Sequence, residues 1–312
     1  MRIGVFLNYV GLGANLLHLS YCHEIAKKYG PINIITLCDK LQSVLEDDPS
    51  IKSVELFDKK NKTFFDIFKL SEFLKKYSFD EIFIYYPSFR TYVAAKISGI
   101  NKIHTYNFFK KKNLHLVKAA KELTIQSLKI NECKTETNFF ISKEKKFLGK
   151  KIVRNEFYNI VLGVGSSGPS TKWGKNNYIN LINKLNNKGN FYFYLLCGPD
   201  EKNISDEIIA NVDKKKCKSL DNLKIPELIP IISNCNLYVG NDSFGHHIMT
   251  QCGIPCVVLI LDTPRAYTDY SSNHYRIIPD GIDINSIEHD TSIKPDEITV
   301  EKVINKILDL KS

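Results

Sequence analysis

Apolar residues in this chain come in short runs separated by stretches with helical spacing, and that alternation sets the expected architecture. Residues 2–8, 32–37, 51–57, 81–86 and 102–106 are apolar runs that fit buried parallel strands. Between them, residues 16–28, 64–77 and 92–97 have helical spacing, the first stopping before Gly30-Pro31. The pattern weakens over residues 108–154, where a helix is expected at 114–128 and the charged segment KEKKFLGKKIVRNEF shows no clear period. A second alternation then starts afresh. Strands are expected at 158–164, 191–196, from Leu237, at 256–261 and at 275–278. Helices are expected at 176–186, 204–212, 225–232 and 300–310. Strand and helix in strict alternation mean parallel sheets covered by helices on both faces. The expected fold is therefore α/β, with two Rossmann-like domains facing a cleft, over residues 1–150 and 151–312.

The stretch YVGNDSFGHHIMTQCGIP, residues 238–255, organises the second half. It reads as strand, tight turn, helix and stop. The turn lies at a strand carboxyl end and a helix amino end, where unpaired N–H groups and the helix dipole favour an anion. Open α/β sheets bind ligands in this position, so a nucleotide diphosphate is expected here.

Composition narrows the class. At 312 residues, 43% apolar and 25% charged, the chain has the make-up of a soluble globular protein. No run approaches the roughly 18 to 20 apolar residues of a membrane span. The start MRIGVFLNYVGLGANLL reads as a first strand, since it lacks the parts of a secretory signal. The eight cysteines form no CxxC pair and read as buried thiols in a reducing cytoplasm. The net charge is +9, with the lysines scattered along the chain and denser clusters at Lys110-Lys111-Lys112 and over residues 143–154. Such clusters are either solvated surface or a means of peripheral attraction to an anionic inner-membrane face. No helix-turn-helix, zinc or RNP signature points to nucleic acid.

Four segments stand in a telling order: GLGANLLHLSY, LGVGSSGPSTKWGKNNYINLINKL, YLLCGPDEKNISDEI and LYVGNDSFGHHIMTQCGIPCVVLI. Together the set resembles glycosyltransferase family 9, the lipopolysaccharide heptosyltransferase family. The resemblance spans nearly the whole chain and is strongest over residues 161–261. It implies a GT-B fold and an inverting, metal-independent transfer from a nucleotide-sugar, usually ADP-heptose. The donor would sit in the carboxyl-terminal half. The acceptor, a cell-envelope glycan or glycolipid such as lipopolysaccharide core, would sit against the amino-terminal half. No cofactor beyond the nucleotide-sugar is implied.

The residues suit these roles. Gly163, Gly165 and Gly168 let a backbone approach an anion, and Ser166 and Ser167 offer hydroxyl and N–H donors to phosphate. Lys172 matches the family's Lys ahead of Trp, and its ammonium would offset charge on the leaving diphosphate. Glu201, with Asp200 as competitor, matches the acid that meets ribose hydroxyls in the family; a helix-start acid is the plain alternative. Asp242, Ser243 and His247 match the family's Asp-Thr-Gly-x-x-His, with Phe244 displacing the glycine to Gly245. Asp242 would otherwise cap the helix. Ser243, Phe244 and Gly245 would present N–H groups to the diphosphate. His247 is expected to face the ligand and His246 to point elsewhere. Thr263 and Arg265 stand within reach of the phosphates, and the tyrosine-rich residues 267–275 either line an acceptor groove or pack.

The departure lies at the first turn. The family's general base is an Asp directly after the turn glycine, but here Ala14 and Asn15 follow Gly13. An inverting transfer needs a group that takes the acceptor's proton. His18, one helical turn beyond Ala14, is the candidate base, with Asn15 beside it and His23 a weaker choice. Alternatively a carboxylate reaches in from elsewhere, or the chain is a catalytically silent homologue that binds a nucleotide or glycan. An epimerase of the same shape needs paired acids that the sequence does not show. A dinucleotide oxidoreductase is disfavoured because GLGANL lacks the full GxGxxG.

Overall fold

The computed structural model describes residues 1–58, 65–106, 115–166, 172–288 and 293–312. It divides into two units, Met1–Phe140 and Ile141–Ser312.

In the first unit, β1 (Ile3–Leu7) is buried along its whole length and sits between β2 (Ile32–Thr36) and β4 (Glu81–Ile84). β3 (Ile51–Leu56) extends the sheet past β2, and β5 (Lys102–Thr105) extends it past β4. All pairings are parallel and the order is β3-β2-β1-β4-β5. Phe6, Ile35, Ile82, Ile84, Leu74 and Phe79 form the core between this sheet and α4 (Phe65–Lys75) and α5 (Phe89–Ile97). The expected first helix is really two, α1 (Leu12–Leu17) and α2 (Leu19–Tyr29). The break has a local cause. The His18 N–H bonds to the Asn15 carbonyl rather than to that of Ala14, and the His18 ring satisfies the Ala14 carbonyl at 2.6 Å instead.

In the second unit, β6 (Tyr158–Gly163) lies between β7 (Phe191–Leu196) and β9 (Leu237–Asn241). Beyond them lie β8 (Cys217–Ser219), β10 (Cys256–Leu259) and β11 (His274–Ile277). The order β11-β10-β9-β6-β7-β8, read from the other edge with β6 as the first strand, is the 3-2-1-4-5-6 Rossmann order. Its direction reverses between β6 and β9, so the crevice at their carboxyl ends is the place for a ligand. The two strands touch there. A Cβ on Gly240 would lie 2.5 Å from the Gly163 carbonyl oxygen. α8 (Lys175–Asn186), α9 (Lys202–Ala210), α10 (Ile225–Ile232), α11 (Phe244–Gln251) and α12 (Val300–Lys311) complete the unit. α11 ends at Gly253, whose φ of +78° is the left-handed turn that glycine permits.

One expectation needs correction. The charged segment in which no clear period could be read is a helix, α7 (Lys143–Ile152), with Ser142 Oγ accepting from the Lys145 N–H. It packs on α10 at Gly149, where a Cβ would overlap the Pro230 carbonyl. A glycine contact leaves no apolar period to read. β8 escaped notice because it has three residues and follows a lysine run. The Lys110 cluster lies outside the described residues.

Candidate functional site

The segment after β6 and the first turn of α8 meet one side chain, Asn241, the last residue of β9 and fully buried. Its Nδ2 donates to the Val164 carbonyl at 3.1 Å. Its Oδ1 accepts from the Trp173 N–H at 2.9 Å and from the Tyr178 hydroxyl at 3.3 Å. Tyr178 also reaches the Gly163 carbonyl at 2.8 Å. Tyr238 donates to the Asn241 carbonyl at 2.6 Å, and its oxygen stands 3.0 Å from Ser243 Oγ. Trp173 is held in turn by an indole N–H bond of 2.8 Å to the Ile298 carbonyl. Asn241, Tyr238 and Trp173 were not singled out from sequence. The available signal was a carboxamide ending an otherwise apolar strand.

Glu201 sits at the start of α9 and turns inward. Its Oε1 accepts from the Ser166 N–H at 3.0 Å and from Lys172 Nζ at 2.6 Å, while Oε2 faces the Gly198 N–H at 3.3 Å. The structure thus brings Ser166, Lys172 and Glu201 together. The Glu201 carboxylate lies against Gly165, where a Cβ would overlap it. Asp200, the competing acid, is exposed. Ser167 and Gly168 lie outside the described residues.

At the start of α11 the cap is Ser243, with extended backbone (φ −150°) and no side-chain cap bond, so the capping role weighed for Asp242 falls to its neighbour. Phe244, half-buried, and Gly245, buried, open the helix. Gly245 is also a packing position, since a Cβ there would overlap Leu196. Asp242 and His246 are i and i+4, and His246 Nε2 donates to Asp242 Oδ1. His247 Nε2 lies 3.8 Å from the same oxygen, and its Nδ1 meets the Tyr270 hydroxyl at 2.8 Å. His246 Nδ1 stands 3.1 Å from Nε2 of His274, whose Nδ1 donates to the Thr268 carbonyl at 3.0 Å. Burial pulls the His246 pKa down to about 3 and lowers that of His274 as well, so both rings are neutral near pH 7.

Ligand atoms of Asp242, His246 and His247 fall within 4.8 Å of one another, the one such grouping among the described residues. Two ligands of one tetrahedral zinc, with bonds of about 2.0–2.1 Å, stand roughly 3.4 Å apart. The Asp242–His246 contact is a hydrogen bond and sits closer than that. Beyond β10, Thr263 is buried, and Arg265 bonds to Asp269 at 2.9 Å and to Asn285 at 3.3 Å. Tyr270 packs against His247 with the rings stacked at 5.6 Å.

In the first unit Asn15 is buried and committed. Its Nδ2 donates to the carbonyls of Tyr9 at 3.0 Å and Gly11 at 2.8 Å, and its Oδ1 accepts from Thr36 at 2.8 Å. Asn15 therefore ties the turn after β1 to the end of β2 and has no donor to spare. His18 is fully buried, stacked on Tyr9 at 4.9 Å and flanked by Tyr21 and Tyr85. Since Nδ1 donates to the Ala14 carbonyl, the neutral ring keeps a lone pair on Nε2, which has no partner. Burial lowers its pKa to about 4. His23 is taken up by Asp48 at 2.8 Å and Thr137 at 2.5 Å. All eight cysteines carry free thiols. Among the described residues no helix is long and apolar enough to cross a membrane.

Comparison with known proteins follows the same lines. The model of glycosyltransferase family 9 (heptosyltransferase) matches residues 91–288, more than half of the chain. The ADP-heptose lipopolysaccharide heptosyltransferase II of Escherichia coli superposes with a TM-score of 0.75 at 16% identity, covering 99% of this chain and 98% of that one. A family 9 glycosyl transferase from Veillonella parvula gives 0.76 at 19% identity, covering 99% and 96%. The E. coli heptosyltransferase WaaC, with ADP-2-deoxy-2-fluoro heptose, gives 0.74 at 11% identity and covers both chains in full, 100% of each. No curated protein matches the chain in sequence.

Proposed function

The chain belongs to glycosyltransferase family 9, the heptosyltransferase family, with two parallel sheets of the GT-B kind, and from that premise we propose a specific reaction. It moves a sugar, heptose in the first instance, from a nucleoside diphosphate donor to a cell-envelope glycan or glycolipid such as lipopolysaccharide core. The transfer is inverting and needs no metal. The E. coli WaaC structures carry ADP and an ADP-heptose analogue, which favours an adenine donor.

The observation that carries this reading is the meeting of the Ser166 N–H and the Lys172 ammonium on Glu201 beyond the end of β6, with α11 starting beyond the end of the neighbouring β9. These are the groups a diphosphate needs. On donor binding Lys172 exchanges Glu201 for a phosphate oxygen, and the released carboxylate turns to the ribose hydroxyls. The acceptor oxygen then attacks the anomeric carbon. The carbon–oxygen bond to the diphosphate breaks with its electron pair, and Lys172 and the α11 N–H groups offset the charge that grows there. The acceptor's proton goes to a base. His18 Nε2 is the group whose lone pair the hydrogen bonds leave available, and that supports its assignment. Reaching a substrate requires the ring to be uncovered, because the side chain has no solvent exposure here. That burial, with Asn15 fully committed, favours the second reading, a silent homologue that binds the donor without turning it over.

Eight free thiols suit a reducing compartment, so we place the reaction on the cytoplasmic side of the envelope. Thermal unfolding scanned against ADP, UDP, GDP and NAD tests the donor site. At about 100 times Kd a bound nucleotide adds roughly 2.7 kcal/mol of stability. Stabilisation by one nucleoside diphosphate supports the site and names its base; no stabilisation by any of them overturns it.

A further inference from the structure

We propose that the exposed face of α7, together with the basic cavity at its carboxyl end, docks this chain on an anionic lipid bilayer. The helix is inverted relative to an ordinary surface helix. Its contact with α10 is made by Gly149, while Phe147, Leu148 and Ile152 are 59%, 51% and 44% exposed. Leu148 and Ile152 are i and i+4 on one stripe of the helix, and Phe147, about 100° round from Leu148, widens the exposed apolar side. Scattered exposed apolar residues are ordinary on a protein surface; a contiguous set on a helix that buries its glycine marks an interaction site.

The charge around the patch selects the occupant. α7 carries Lys143, Lys145, Lys146, Lys150 and Lys151 against a single acid, Glu144. The Lys151 ammonium lies over the Phe147 ring, 4.4 Å from its centre, so a cation is held against the apolar residues. Past the helix end a cavity of about 390 Å³ is lined by Lys151, Arg154, Glu156, Tyr192 and Lys218, three cations to one acid. The Arg154 guanidinium stands 5.8 Å from the Tyr192 ring centre at its wall. A phosphate headgroup fits this chemistry, and apolar side chains ringed by lysines suit the boundary between headgroups and acyl chains. A second copy of the chain would set this lysine-rich face against itself, which is repulsive.

Vesicle co-flotation of the whole chain tests the docking, without donor or acceptor, so its outcome is independent of the transfer reaction. Vesicles of phosphatidylcholine alone are compared with vesicles that also contain phosphatidylglycerol. Binding is expected to the second kind and to weaken as salt is raised. Replacing Lys150 and Lys151 by Gln should weaken it roughly fivefold per charge. The triple change of Phe147, Leu148 and Ile152 to Ser should weaken it by about tenfold or more, with an unchanged melting temperature because all three are exposed. Equal binding to both vesicle types, or binding untouched by either set of changes, overturns the proposal. So does a wild-type dimer in solution that becomes a monomer in the triple variant, since the face would then belong to a second copy.

Discussion

Lys172 and Glu201 hold each other at 2.6 Å, and the same carboxylate grips the Ser166 N–H at 3.0 Å, so one acid fixes both of the groups suited to phosphate. At the proposed site a donor would have to break this pair before it could bind. Lys172→Ala should therefore weaken nucleotide binding by roughly ten- to a hundredfold, the value of one charged hydrogen bond. Glu201→Gln loosens the pair but removes a ribose partner. It should weaken the binding of ADP more than that of inorganic pyrophosphate. Calorimetric titration with both ligands checks this, and equal losses for the two would remove Glu201 from the ribose.

Asn241 ties the end of β9 to the segment after β6 and to α8 through one buried carboxamide. Asn241→Ala should cost about 2–4 kcal/mol, because it strands the Trp173 N–H and the Val164 carbonyl in the interior. Urea unfolding measures the loss. A change below about 0.5 kcal/mol would mean that water replaces the side chain without penalty.

The base can be tested by exchange. His18→Gln should lower turnover by roughly a hundredfold to ten-thousandfold while leaving nucleotide affinity intact. Ala14→Asp, which restores the family's carboxylate, should recover part of the rate in the His18→Gln background. Full activity in His18→Gln alone would exclude His18 as the base. A wild type that binds ADP but turns over no donor would establish the silent homologue.

Acid should unfold this protein early. His18 and His246 have pKa values near 6.5 when exposed, and burial lowers them to about 4 and about 3; His274 is lowered too. Below pH 6.5 the unfolded chain therefore binds more protons than the native one. Stability is fully present above that pH and falls as pH drops toward the folded values, by up to about 1.4 kcal/mol per pH unit for each ring. Urea midpoints across this range measure the slope, and His246→Gln should reduce it. A flat profile would show that the rings do not stay neutral in the native state.

Much of this was legible in the chain. The alternation of runs gave both sheets because parallel strands buried on two faces are nearly continuous in apolar residues. The turn at Asp242 and Ser243 was readable because its chemistry is local. The rest depended on contacts between distant segments. Lys172 and Glu201 each looked suited to a ligand, and only folding shows that they first find each other. The bond between Asp242 and His246 went unread, though their spacing of four residues on a helix allows it. α7 was unreadable because its buried side is a glycine. His18 looked accessible one turn into a helix, but the stack of Tyr9, Tyr21 and Tyr85 that covers it comes from three separate segments.

The Asn241 junction also bears on how a new donor preference could arise. The residues it fastens, Val164, Trp173 and Tyr178, are held when the chain folds, so a ligand does not have to order them on arrival. Residues that belong to the fastening, such as Trp173 and Tyr178, tolerate little change. Phe244, half-buried at the start of α11, lies outside those bonds. With the proposed donor site, the molecule would separate a fixed chassis for the diphosphate from an interchangeable edge for the sugar, and a change of donor would call on the second.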